Sequence, residues 1–410
     1  MLAVLRQRNF GLLWFGQFIS AIGDWVLYIA LPFYTFSLTG SALATGAMFM
    51  ASTLPRLLFG SVAGVFVDRW DRKKTMIVAD VLRAVIVLLL LVVRSPEWLW
   101  LIYLSSFAQA LVSQFFVPAK TAIIPRLVSE KDLLTANSLN AFSDAITRLL
   151  GAALGGVLMS WLGLQSVILL DSASFLVSGI LIVLIVLPAA APLPPVPTHE
   201  PGGARWLAMW KEWLDGLRLV KQERLIASLF VVMGVAFLGD SMFSVLIVPL
   251  VKNIMGGGAL QLSWVMMAHG IGGLTGGLIL GQMGKSVSPY RLITLGLGLT
   301  GIIALIIINF PLLPVVLPLM LFVGFAIMAW SVGTQTLLQM NIQDQYRGRI
   351  FGTLGTTMAL MSLIGMGLAG ALADLLGVVF ILDIAGGLYI VSGVVAWVML
   401  HEPAPIAPSS

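Results

Sequence analysis

The chain has 410 residues, of which 59% are apolar and only 10% charged, with a mean hydropathy of +1.02 and a formal net charge of +5. Soluble domains are roughly 45–50% apolar and about 25% charged, and no water-soluble core hides this much apolar surface, so a soluble enzyme, a disordered chain and a nucleic-acid binder are excluded. There are no cysteines, which removes disulfide frameworks, thiolate nucleophiles and cysteine-based metal sites.

A membrane-spanning helix needs roughly 20 mostly apolar residues. Twelve segments meet that need, at about 10–37, 42–67, 75–93, 98–116, 138–160, 165–187, 226–251, 260–283, 291–309, 313–336, 350–372 and 378–400. Their continuous apolarity excludes a β-barrel, whose strands alternate over about 10 residues. The first segment, after MLAVLRQRNF, is not a short apolar region with a small-residue cleavage site, and is read as a retained span. With the N-terminus inside, the connections place 18 Lys/Arg on the cytoplasmic side and only Arg94 and Lys252 outside. By the positive-inside rule both termini are expected in the cytoplasm, in a multi-pass protein of the plasma (inner) membrane. The fold class expected is an all-α polytopic membrane protein with twelve transmembrane helices in two pseudo-symmetric six-helix bundles.

The longest connection, 188–225, separates an N-terminal bundle (1–187) from a C-terminal one (226–410). It opens with LPAAAPLPPVPTHEPGG, whose prolines forbid a continuous helix. It continues as ARWLAMWKEWLDGLRLVKQE, where Trp206, Trp210, Trp213, Leu217 and Val220 recur at helical spacing and Lys211, Glu212, Asp215, Arg218 and Lys221 take the other face. That pattern predicts an amphipathic helix in the headgroup plane, acting as a lipid-sensing lever or as a plain strap between the halves.

The halves repeat. Gly23-Asp24 in span 1 matches Gly239-Asp240 in span 7, 216 residues later, and each pair precedes a proline, Pro32 or Pro249. Gly60 and Gly64 match Gly277 and Gly281 at an offset of 217. Gly156 and Gly163 match Gly370 and Gly377 at 214, and Asp171 in span 6 has a counterpart in Asp383 of span 12. Two parallel six-span repeats imply a substrate site near the bilayer midplane, reached from alternate sides as the halves rock.

The segment GVFVDRWDRKK, from Gly64 to Lys74, resembles the signature loop between spans 2 and 3 of the major facilitator superfamily. NFGLLWFGQFISAIGDW, FVPAKTAIIPRLVSEKDLLTANSLN and QYRGRIFGT resemble the branch of twelve-helix proton-driven exporters that includes macrolide-efflux proteins and the enterobactin exporter. The signature loop departs from the wider pattern at Asp71, where many members carry glycine, and Lys285 replaces the acid in the second half. The resemblance implies that Gly64, Asp68, Arg69, Arg72 and Lys73 form a cytoplasmic gate that latches the inner ends of the two halves. Asp68 would face the free N–H groups near 348–350 at the start of span 11. The alternative is that these charges only set topology.

A charge inside a bilayer costs about 2.5–3.5 kcal/mol on insertion scales, so each ionisable residue there is a functional candidate. Asp24 lies about 14 residues into span 1, roughly 21 Å deep at 1.5 Å per residue. A carboxyl there can exchange a proton, as an antiporter requires. Tyr28, at i+4, can hydrogen-bond it, and Arg56 in span 2 can neutralise it or hold an anionic substrate. Asp240 repeats the Asp24 position, and His269 in span 8 has the intrinsic chemistry of a proton relay. Asp80/Arg83 and Asp144/Arg148 have the spacing of local ion pairs. Arg148 precedes Gly151, Gly155 and Gly156, small residues that let helices approach closely. This stretch is similar to the glycine-rich fifth span of antiporters in the superfamily, though it lacks their Gly-Pro. It is read as a packing face first and a coupling element second.

No phosphate-binding loop, metal-ligand cluster or nucleophile–base set appears, so neither enzymatic activity nor a cofactor is expected. An ion gradient, most simply of protons, would drive transport, one charge across 100 mV supplying about 2.3 kcal/mol. The function expected is secondary export, by proton antiport, of an amphipathic small organic molecule such as a drug, macrolide or siderophore. The expected protein acts as a monomer in the lipid bilayer and without nucleic acid. Its cavity would be apolar and aromatic, with Trp14, Trp25, Tyr28, Met233, Met266, Met267, Trp330 and Gln335 as lining candidates. A lysophospholipid flippase and a non-transporting receptor are the alternatives, the second disfavoured by the repeated mid-span acids.

Overall fold

The computed structural model describes residues 2–187, 202–283, 287–343 and 346–400. Among these the regular elements are all helical. In the first half, α1 spans Arg8–Thr39, α2 Ala42–Arg69, α3 Arg72–Leu88 and α4 Leu99–Ile123. A continuous helical stretch, Leu133–Val183, is interrupted at Gly163, and its two parts are α5 (133–162) and α6 (164–183). After them come α7 (Gly202–Gln222), α8 (Arg224–Pro249), α9 (Ala259–Met283), α10 (Pro289–Asn309), α11 (Leu313–Asn341), α12 (Arg347–Leu376) and α13 (Val378–Met399). Among the described residues, eleven helical stretches are long and apolar enough to cross a membrane, and the one at Glu130–Val183 holds two spans. The molecule is a twelve-span multi-pass membrane protein.

Local chemistry sets the element ends. Gly40 closes α1 in the left-handed region (φ 67°), its N–H bonded to the Phe36 carbonyl. Ser41 then caps α2, its hydroxyl accepting from the Ala44 N–H at 3.2 Å. A glycine of positive φ also precedes the last helix of each repeat. Gly163 (φ 74°, ψ 172°) parts α5 from α6, and Gly377 (φ 93°, ψ 147°) parts α12 from α13. An L side chain is strained at such angles, which explains why the repeat keeps glycine at both positions.

The chain divides into two compact units, each holding part of α8 and of α9. The first comprises the described residues of Met1–Pro197 with Val245–Met267; the second those of Thr198–Ser244 with Ala268–Ser410. In the first, α1 packs along α5 and α6, α2 along α4, and α3 against α4 and α6. One core of this unit joins Phe10 and Leu13 of α1, Met76 of α3, Phe116 of α4 and Ile182 of α6. In the second unit, α10 packs against α11 and α13, and α7 lies on α12. Its core joins Leu229 of α8, Ile293 of α10, Trp330 of α11, Leu354 of α12 and Tyr389 of α13.

The amphipathic α7 docks by the stripe that its sequence pattern marks. The Trp213 indole donates to the Thr357 hydroxyl at 3.1 Å, and Val220 is buried in the core with Ile350 and Leu354. Gly216 sits so close to Thr353 that a Cβ there would lie 1.8 Å from its hydroxyl. Trp210 and Leu214 stay exposed. The Trp206 side chain and the proline-rich segment 188–201 lie outside the described residues.

Candidate functional site

Four ionisable side chains from three helices meet inside the first unit. Arg83 of α3 pairs with Asp80 one turn before it and reaches toward Asp24 of α1, with Nη1 3.9 Å from Oδ2. Asp80 and Arg83 are buried. The guanidinium lies between two aromatic rings, 4.4 Å from the centroids of Phe116 on α4 and Phe175 on α6, an arrangement that favours a desolvated cation. Gln109 of α4 donates to the Arg83 carbonyl at 2.9 Å.

The third acid is Asp171 of α6, 1% exposed. Among the described residues neither of its carboxyl oxygens has a hydrogen-bond partner. Gly23 lets α1 press directly on it: a Cβ at that position would lie 2.5 Å from Asp171 Oδ1 and 2.6 Å from Ser174 Oγ. The first glycine of the repeated Gly-Asp pair thus provides close approach, and the aspartate beside it provides charge.

Asp24 and Asp171 both line a cavity of about 250 Å³, walled mainly by Leu27, Tyr28, Phe49 and Leu90 with Ser105, Ser106 and Gln109 as polar handles. Half of the Asp24 side-chain surface is open to it. A mostly apolar wall with a few convergent polar groups is the usual form of a small-molecule site. Tyr28 stands edge-on to Trp25 and Phe49. The cation facing Asp24 is Arg83 and not Arg56, which lies on α2 with an exposed side chain. Trp14 donates to the Leu139 carbonyl at 3.3 Å, and Trp330 is buried against Phe237 in the second unit.

Among its described residues, the second unit solves the same problem without a cation at its Asp. Asp240 of α8 accepts a 2.8 Å hydrogen bond from the Tyr389 hydroxyl of α13. Tyr389 stands 214 residues after Phe175, the offset that also relates Gly156 to Gly370. One repeat therefore holds an aromatic platform for Arg83 where the other holds a neutral donor. Asp383, the counterpart of Asp171, accepts from Asn309 at 3.1 Å. His269 is half-buried on α9, with Gly324 of α11 against its backbone carbonyl.

The charged loop after α2 fastens the first unit to itself. Asp71 caps α3, its Oδ1 accepting from the Lys74 N–H at 2.8 Å. Arg72 donates to the Ala122 carbonyl at the end of α4 at 3.1 Å. Lys73 Nζ donates to the Val183 and Ile185 carbonyls at the end of α6, at 2.8 and 2.7 Å. Cations on the last carbonyls of helices are favourable. The departure at Asp71 thus has a purpose, since glycine caps a helix without a side-chain acceptor. Gly64 has open space around it and Arg69 is exposed. The side chain of Asp68 and all of Lys285 lie outside the described residues.

On α5, Gly151 and Gly155 receive Trp25 and Ile29 of α1, a Cβ at Gly151 falling 2.2 Å from the Trp25 Cβ. Gly156 N–H donates to Ser263 Oγ at 2.6 Å. Asp144 and Arg148 are not paired with each other; both side chains are exposed, and the Arg148 guanidinium lies 5.3 Å from the Trp25 ring centroid. The i,i+4 spacing permits their pairing, but the stack on α1 takes the arginine instead.

Twelve spans, a six-plus-six repeat, an intramembrane charge cluster and a basic loop after the second span now stand together. The sequence model of the Major Facilitator Superfamily matches residues 13–339 and 229–410. The chain belongs to this superfamily. It is 30% identical to macrolide efflux protein A of Streptococcus pyogenes over 382 residues, 91% of each protein. It is 29% identical to the MFS-type transporter YfiS of Bacillus subtilis (strain 168), over 95% of this chain and 93% of that one. Among solved structures, the nucleoside transporter NupG superposes with a TM-score of 0.72 at 13% identity, covering 96% of this chain and 99% of that one. A bacterial homologue of the iron transporter ferroportin, in its inward-facing state, gives 0.75, at 16% identity and 96% coverage, with 98% of its own chain matched. The protein is an MFS transporter.

The cluster itself is only partly visible in the sequence. Asp24 and Asp240 stand out by depth and by repetition. Asp80 and Arg83 read as a local pair, and Asp171 only as one half of a repeat match. The remaining signal for Asp171 is an acid in the otherwise apolar run SVILLDSASFL.

Proposed function

We propose that the protein is a secondary exporter that moves an amphipathic small organic molecule out of the cytoplasm in exchange for protons. The observation that carries this reading is the set of three carboxyls around one guanidinium beside an apolar cavity. Three ionised acids and one cation would leave a net charge of −2 among membrane helices, at a cost of several kcal/mol per unpaired ion. Such a cluster binds and releases protons as its partners move. Asp24, half open to the cavity, is the coupling acid that the substrate reaches and that answers to the same guanidinium as the other two, with Tyr28 beside it as an aromatic surface for the substrate. Asp240 and His269 are the secondary coupling candidates, and for Arg56 the remaining reading is that it holds an anionic group of the substrate.

Outward transport is supported by the names of relatives across the chain, macrolide efflux protein A at 30% identity and a putative bacilysin exporter at 24%. The 18-to-2 distribution of Lys/Arg supports a plasma-membrane protein with both termini in the cytoplasm. The six-span bundles 1–187 and 226–410 would then rock about the site, with Asp68, Arg69, Arg72 and Lys73 as the cytoplasmic gate and Gly151, Gly155 and Gly156 as the sliding face. The test is uptake into inverted membrane vesicles of a panel of dyes, macrolides and siderophores, with and without an uncoupler. Uncoupler-sensitive accumulation of at least one compound is expected; accumulation of none, in vesicles that hold the protein, rejects the reading.

A further inference from the structure

We propose that Asp171 carries the proton that the cluster exchanges, and that Asp24 is the charge to which Arg83 answers while Asp171 is neutral. This rests on the antiport reading but locates its proton on a residue that neither depth nor family pattern points to.

The two acids have opposite surroundings. Asp24 has half of its side-chain surface open, lines the cavity, and faces Arg83 at 3.9 Å. It can remain an anion there. Asp171 is 1% exposed, and neither of its oxygens accepts a hydrogen bond among the described residues. The nearby Ser174 hydroxyl spends its hydrogen on the backbone carbonyl of Asp171, at 2.7 Å. The ionisable groups around Asp171 are Asp24 from α1 and Arg83 from α3, and Arg83 is already committed to Asp80. A buried carboxylate whose nearby cation is paired elsewhere, and whose nearest donor, the Ser174 hydroxyl, is taken by a backbone carbonyl, is penalised more than a neutral carboxyl in the same place. The arrangement seen here is therefore the proton-loaded one.

Release needs a cation for the anion that remains. Phe175 lies one turn beyond Asp171 on α6, and Arg83 rests on its ring. A shift of the guanidinium along that ring brings it toward Asp171. In that step the O–H bond of Asp171 breaks, the proton passes to water in the cavity that both acids line, and the carboxylate left behind shares the Arg83 guanidinium with Asp80. Uptake is the reverse, from hydronium in the cavity, and returns Arg83 to Asp80 and Asp24. The second unit holds no equivalent among its described residues, because its Asp240 has Tyr389 and its Asp383 has Asn309.

Infrared difference spectroscopy of the purified full-length protein, with no substrate added, tests the assignment. A protonated buried carboxyl has a C=O stretch separate from that of carboxylates. The wild type is expected to show this band at neutral pH, Asp24→Asn to retain it, Asp171→Asn to lose it, and Asp171→Glu to restore it at a shifted frequency. A band lost in Asp24→Asn but kept in Asp171→Asn overturns the proposal, as does a wild type without the band. In proteoliposomes, with erythromycin as the probe and an imposed pH gradient, Asp171→Asn should lose at least tenfold of gradient-driven flux. Equal gradient-driven flux in wild type and Asp171→Asn also overturns it. A wild type with the band but no gradient-driven flux of any panel compound would instead reject antiport and leave the proton on Asp171.

Discussion

The Tyr389 hydroxyl donates to Asp240 across 2.8 Å, whereas Arg83 stands 3.9 Å from Asp24, the residue that Asp240 repeats. Two copies of one Gly-Asp element are thus held by different chemistry, a neutral donor in one and a cation in the other. The neutral bond supports a fixed structure. The longer, charged contact leaves Arg83 a choice of partners.

Removing the neutral bond should therefore cost stability before it costs coupling. Tyr389→Phe keeps the ring in its core position and deletes only the hydroxyl. A buried acceptor that loses its donor costs about 1–3 kcal/mol. The expected result is a lower thermal midpoint in detergent with gradient-driven transport retained at the temperatures where the protein is folded. An unchanged midpoint would mean that Asp240 finds water or another donor.

Arginines 56 and 83 should behave very differently. Arg83→Gln leaves Asp80 buried and uncompensated, and breaking a buried pair in this way costs about 3–5 kcal/mol. It should reduce the yield of folded protein sharply. Arg83→Lys keeps the charge but not the planar group that lies between Phe116 and Phe175, so it should fold better than the glutamine variant yet transport poorly. Arg56→Gln, at an exposed position, should change stability by no more than about 0.5 kcal/mol. Yields and melting curves of the three variants, taken side by side, check the order. Loss of folding in Arg56→Gln comparable with that in Arg83→Gln would contradict it.

Which arginine faces Asp24 was not legible in the sequence, for a physical reason. A water-soluble helix shows its inner face by an apolar stripe, but a helix apolar on all sides carries no such mark. Asp24, Asp80, Arg83 and Asp171 come from three helices widely separated in the chain, and their meeting depends on how each helix is turned. What could be read were features of single segments and of the repeat. The spans follow from length and apolarity, the break at Gly163 has its echo at Gly377, and the depth of Asp24 follows from helical rise. The i,i+3 spacing correctly joined Asp80 to Arg83, yet it was silent on Asp24, Phe116 and Phe175. At Asp71 the departure from the family pattern leaves the turn unexplained in the sequence, and the cap it provides to the Lys74 N–H accounts for it.

Two acids three residues apart, Asp68 in the last turn of α2 and Asp71 at the cap of α3, should separate by experiment. Asp71→Ala removes a helix cap, worth about 0.5–2 kcal/mol, and should lower the melting temperature with a modest effect on transport. Asp68→Asn, in the proposed gate, should slow or abolish transport while leaving expression and insertion intact. Initial rates in inverted vesicles and melting curves for both variants make the comparison. Wild-type transport by Asp68→Asn would reduce the charge cluster to a topology signal.

Asp24→Asn tests coupling most directly. Asparagine keeps the size and much of the hydrogen bonding of aspartate, and it removes the charge that faces Arg83 and the cavity. Had Arg83 depended on Asp24 alone, the variant would leave a buried cation without a partner and should misfold. Arg83 keeps Asp80, however, and its rings on either side, so normal expression is expected. Substrate binding to the apolar wall should persist, and downhill exchange with it. Uphill export should fall to the level seen with an uncoupler, because the movement of Arg83 no longer answers to what occupies the cavity. Expression, binding and pH-driven flux measured on the same preparation distinguish these cases. Poor expression would show that Asp80 does not suffice for Arg83, and normal expression with full uphill flux would leave the coupling to Asp171 without Asp24, or to Asp240 or His269.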